Sequence, residues 1–155
     1  MTLTRTILLS ALILAVIYFG FSQPESVVLH NLVETSQNRV ETSQNSDDTL
    51  ASAFNNRTNN LQVEGQGTVI KILPEDLAGT RHQKVIIRLS SGQTLLIAHN
   101  IDLASRVISL TKGDKIFFYG QYEWNPKGGT IHWTHHDPAG RHTAGWIEHN
   151  GIRYQ

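Results

Sequence analysis

Two short segments of this chain concentrate the residue types that carry chemistry. The first is His99-Asn100-Ile101-Asp102-Leu103-Ala104-Ser105-Arg106. The second is His132-Trp133-Thr134-His135-His136-Asp137-Pro138-Ala139-Gly140-Arg141-His142, followed by Gly145-Trp146-Ile147. Neutral imidazoles beside a carboxylate are ligands for zinc or a similar divalent transition metal. Imidazole is also the acid or base that titrates near neutral pH. Arg106 or Arg141 could grip a phosphate or carboxylate through a two-pronged pair. Such parts suit metal- or histidine-assisted hydrolysis of a phosphodiester, and equally the capture of a metal or a small anion. The candidate binding residues are His99, Asn100, Asp102, His136, Asp137, Arg141 and His142. Within that set His99, His136 and His142 are the candidate metal ligands. No residue is assigned a catalytic role.

Each candidate also has a plain structural reading. Asp102 is placed to cap a helix, and Asp137 before Pro138 to start a turn. Arg141 could pair with Asp137 on the surface. His132 could be a barrel histidine satisfied by a backbone carbonyl, and Trp133 and Trp146 core or hairpin packing. His82 and His149 read as ordinary surface residues.

The elements that must position these residues follow from hydrophobic pattern and turn chemistry. Strands are predicted at Gly67 to Leu73, Gln83 to Leu89 and Thr94 to Ala98. A short helix should follow, capped by Asn100 or Asp102 and running to about Ser109. Further strands are predicted at Lys115 to Trp124 and Thr130 to His135. A last hairpin should turn on Asn150-Gly151, between Trp146-Ile147 and Ile152 to Tyr154. Three strands, a helix and two strands is the order of an OB-type barrel, the alternative being a more open β-sandwich. In such a barrel the first, third and fifth strands run parallel. Their C-terminal ends would bring the Pro74 to His82 loop, His99-Asn100-Asp102 and His135 to His142 to one pole. Side chains alternate along a strand, so His132 and His136 could share a face while His135 points away.

The rest of the chain sets the context. Residues 1–22 carry Arg5 and then an apolar run from Ile7 to Phe21, as in a signal peptide or an uncleaved membrane anchor. Residues 23–62 are rich in Asn, Ser, Thr and Gln and read as a disordered polar linker. The stretch Val33-Glu34-Thr35-Ser36-Gln37-Asn38 recurs as Val40-Glu41-Thr42-Ser43-Gln44-Asn45, which suits slippage in an unconstrained segment. The β domain is expected over 63–155.

That domain resembles a domain-of-unknown-function family of small bacterial proteins with an N-terminal export signal. The resemblance runs from about Val63 to Tyr154. It is carried by Val63-Glu64-Gly65-Gln66-Gly67, the His99 segment, the Gly113-Asp114 turn with Phe118-Tyr119-Gly120, and the His132 to Trp146 segment. It implies an exported protein, periplasmic or anchored to the inner membrane with the domain outside the cytoplasm. It implies no activity.

Composition narrows the function. The 155 residues include no cysteine, which removes disulfide-linked partners, thiolate metal sites and cysteine nucleophiles. Across 63–155 Lys and Arg number ten and Asp and Glu eight, so the domain carries no basic stripe for nucleic acid. The first reading is therefore a module that binds a ligand or partner at the His/Asp-rich pole, and the second a metal- or histidine-dependent hydrolase. The third is a structural envelope protein.

Overall fold

The computed structural model describes residues 25–76 and 79–155. The expected signal or anchor over 1–22 lies outside the described residues. Among the described residues no helix is long and apolar enough to cross a membrane. The expected attachment to a membrane therefore has no helix to rest on among the described residues.

Seven strands are described: β1 (Leu61–Leu73), β2 (His82–Arg88), β3 (Thr94–Asn100), β4 (Lys115–Glu123), β5 (Thr130–His132), β6 (Trp146–His149) and β7 (Ile152–Tyr154). The first five close in the order β1-β2-β3-β5-β4, with β4 returning to β1. All pairs are antiparallel except β3 with β5. This is the five-stranded OB-type barrel that the strand order implied.

Closure depends on β1 serving two neighbours. Its first part pairs with β4, its last with β2, and Thr68 pairs with both. A register shift between Val69 and Lys71 marks the bend. Val63, Gly65, Gly67 and Val69 alternate inward. Gly65 has no side chain for a reason of space: a Cβ there would lie 2.6 Å from the Phe118 ring, which fills the barrel beneath it. Val85, Ile87, Leu95, Ile97, Ile116, Phe118 and Ile131 complete the core. The hairpin β6–β7 extends the sheet beyond β4. Asn150 and Gly151 both take positive φ, as a tight hairpin turn requires.

Two expectations about helices fail. The first is the linker. Residues Glu25–Asn55 form a continuous helix, α1. Its last turns belong to one compact unit with the barrel, residues 41–155. Leu50 and Ala53 are buried in the core, and Phe54 stacks on Trp124. The indole N–H of Trp124 donates to the Phe54 carbonyl, and Asp47 accepts from the Ser90 hydroxyl and the Ser91 N–H. Tertiary burial overrides weak helix propensity here. The inward stripe Ser43, Asp47, Leu50 has helical spacing but little apolar surface, so it gave no amphipathic signal. Within residues 25–40, Leu29, Leu32, Val33 and Val40 are exposed.

The second failure is the helix after β3. Residues 101–114 form turns instead. The reason is competition for their backbone groups. The Gln83 side chain, pointing inward from β2, donates to the Val107 carbonyl and accepts from the Val107 N–H. This clamp seats Val107 as the apolar plug at this end of the barrel. Groups held by the barrel are no longer free to bond along a helix.

Candidate functional site

The ends of β1, β3 and β5 do meet at one pole. Arg81 binds Asp102 through its backbone N–H and its guanidinium, and Arg106 pairs with Glu75. These pairs tie the β1–β2 loop to the β3–β4 connector. His99 and Thr134 tie the connector region to the segment after β5, their side chains 2.9 Å apart.

His99 is the centre of that tie and is 1% exposed. Its Nε2 lies 3.1 Å from the Ser105 carbonyl, which can only accept. Nε2 therefore carries the proton, and Nδ1 accepts from the Thr134 hydroxyl. Burial drives the His99 pKa down to about 4, so the ring is neutral at physiological pH. Both nitrogens are committed inside the protein, and His99 has none left for a metal.

The carboxylates are equally committed. Asp102 caps no helix. Its oxygens take the Arg81 N–H and guanidinium, and these bonds hold its pKa below the usual carboxylate range. Asn100 is buried and accepts the Asp102 N–H in a local turn. Asp137, also buried, accepts backbone N–H groups from Ala139, Arg141 and His142. The Ala139 bond is the largest cause of its lowered pKa. Asp137 thus folds the loop 137–142 around itself; Arg141 meets it through its backbone, not as the surface ion pair that the sequence suggested.

The remaining candidates point outward. His136, Arg141 and His142 are exposed. His142 stacks on Trp133 with ring centres 3.7 Å apart and planes 13° from parallel, and His135 sits 5.4 Å from the same indole. Trp133 adopts φ of 52°, a left-handed conformation unusual for a bulky residue. That turn ends β5 at His132, three residues earlier than predicted. It also removes the strand alternation expected to relate His132, His135 and His136. Gly145 allows the chain to pass: a Cβ would lie 2.0 Å from the Trp133 carbonyl oxygen and 2.3 Å from that of Tyr119.

The three histidines proposed as metal ligands do not fit zinc. His99 has no free nitrogen, and without it only His136 and His142 of that set remain. Among the described residues no group of three or more His, Asp or Glu is placed to hold a metal ion. The sequence reading also missed two structural histidines. His149 is 2% exposed and donates from Nε2 to Asp114 at 3.0 Å. Its alternation with the inward Ile147 was the available signal. His82 is half-buried and shares Asp76 with Lys84.

No curated protein matches the chain. A family description matches residues 32–155. That span includes most of α1 as well as the whole barrel, so the helix falls within the shared unit rather than in a spacer before it. Over this span the chain belongs to the family described as protein of unknown function (DUF3465).

Proposed function

We propose that this OB-type domain is an exported binding module, and that the pole after β5 holds its ligand. The observation that carries the reading is the division of labour among the pole's polar groups. His99, Asn100, Asp102 and Asp137 spend their hydrogen bonds on the framework. His136, Arg141 and His142 remain exposed on it, with His142 supported from behind by Trp133. A guanidinium beside a supported flat ring suits an anionic ligand that carries a ring of its own. The near balance of charge across 63–155 disfavours a polynucleotide, which would draw on many phosphate contacts. An acidic oligosaccharide fits better, and OB barrels accept such ligands.

The test is a calorimetric titration of the full chain with a short oligouronate, a neutral oligosaccharide of the same length and a single-stranded oligonucleotide. The oligouronate should bind, and Arg141→Gln and His142→Ala should each weaken it roughly tenfold without changing thermal stability. Absence of oligouronate binding at millimolar concentration, or binding by both variants as tight as by wild type, would refute this placement of the site. Preferential binding of the oligonucleotide would refute the choice of ligand.

A further inference from the structure

The polar groups of the pole are largely spent, but a second region shows the reverse. Thr68 is the residue of β1 that pairs with both neighbours, and its partners there are Arg88 on β2 and Lys115 on β4. One row across three adjacent strands therefore reads Arg88, Thr68, Lys115. Adjacent strands lie about 4.8 Å apart, so the two cations start about 10 Å apart with the threonine hydroxyl between them. A cavity of about 280 Å³ opens over this row. Gln66 and Ser90 also line it, and α1 closes it with Ser43.

Three properties set this cavity apart. Its lining contains two cations and no carboxylate. Neither cation has an ion-pair partner among the described residues, although Arg81, Lys84, Arg106 and Arg153 all do. The side chains of Gln66, Thr68 and Ser43 likewise make no hydrogen bond within the described protein, and Ser43 is only 9% exposed. Asp47, one helical turn beyond Ser43, directs one oxygen to Ser90 and Ser91 and so fixes the wall of the cavity.

Like charges on one row repel, and unspent donors on a half-enclosed surface lose solvation without a partner. An anion placed over Thr68 reverses both penalties. It would accept from the Arg88 fork, the Lys115 ammonium and the hydroxyls of Thr68 and Ser43, which is donor chemistry suited to a tetrahedral oxyanion. The volume admits a phosphate with a small substituent. We propose that this cavity binds the phosphate group of a small phosphomonoester, at a site separate from the pole after β5.

The test is ³¹P NMR and calorimetric titration of the full chain with glycerol phosphate, with inorganic phosphate as a second probe. Both should bind, and glycerol phosphate should bind more tightly because its substituent also occupies the cavity. Arg88→Gln and Lys115→Gln should each weaken binding roughly tenfold, and the double variant should abolish it. Lys112→Gln removes the same charge from the neighbouring turn and should change nothing. Ser43→Val, which keeps the helix face closed, should weaken binding severalfold. Binding that falls equally in Lys112→Gln would mean diffuse electrostatics and would overturn the proposal. So would failure of glycerol phosphate to bind at 10 mM in the low-salt range where exposed charges act most strongly.

Discussion

Acid should unfold this domain partly through one buried ring, and His99→Gln is the variant that exposes the effect. In the folded chain burial holds the His99 pKa at about 4, against an ordinary value of 6.5. Between those values the unfolded chain binds the proton and the folded chain does not, so lowering the pH favours unfolding. The stabilising contribution is complete above pH 6.5 and is lost as the pH falls toward 4. From pH 8 to pH 4.5 the loss amounts to about 2.5 kcal/mol. Glutamine cannot titrate, although it retains an amide donor that can reach toward Ser105. At pH 8 the variant should be less stable than wild type by about 1–3 kcal/mol, the cost of an imperfect bond to Thr134 or Ser105. At pH 4.5 that gap should close or reverse. The assay is urea unfolding of both proteins at half-unit steps from pH 8 to 4.5, read as the difference in unfolding free energy. Asp76, Asp102, Asp114 and Asp137 also have lowered pKa values, but both proteins share them and their effect largely cancels in the difference. A difference that stays constant across the range would refute the assignment of His99 as a neutral, doubly bonded framework residue.

Two further predictions concern the ends of the barrel. A chain starting at residue 41 should keep the fold, whereas one starting at 63 loses Leu50, Ala53 and the Phe54–Trp124 stack and should melt well below it; Leu50→Ala in the full chain should cost about 2–5 kcal/mol in a denaturant titration. Equal melting temperatures for the two truncations would show that α1 contributes nothing to the barrel. At the opposite end, Gln83→Leu leaves the Val107 N–H and carbonyl without their clamp and should cost about 2–4 kcal/mol. Hydrogen exchange of the Val107 amide should be slow in wild type and fast in the variant, and equal exchange in the two would contradict the clamp.

The barrel was legible because its strands are runs of β-branched and aromatic residues bounded by turn signals: Val85-Ile86-Ile87 and Ile116 to Tyr122 read as strands without any tertiary information. The parts that were not legible share a physical cause, which is that a side chain far away in sequence decides them. The first half of β1 was missed because Gly65 and Gly67 face inward, and a glycine reads as a breaker until Phe118 is known to lie over it. The connector after β3 carries a good helix start in Asn100 and Asp102, but Gln83 and Arg81 claim the groups that a helix would use. In α1, Ser and Thr side chains bond back to the carbonyl four residues earlier, as Thr35 does to Asn31 and Thr49 to Asn45. That accommodation lets a composition typical of disorder sit in a helix once Leu50 and Ala53 are buried.

The candidate site teaches a related point about where chemistry is sought. Histidines and carboxylates crowded into one stretch of sequence suggest a reactive centre, yet a buried polar residue persists only if its donors and acceptors are satisfied. His99 and Asp137 meet that requirement within the protein, and satisfaction leaves them nothing to offer a ligand. The groups with capacity left over are those that the fold brings together while leaving them unpaired. Arg88, Thr68 and Lys115 lie far apart along the chain and form no motif, and only the double pairing of Thr68 places them in one row. Unspent hydrogen-bonding capacity on a fixed frame is therefore the more discriminating sign of a binding site in this molecule. By that measure the exposed edge of the pole and the cavity over Thr68 both qualify, and the buried histidines do not.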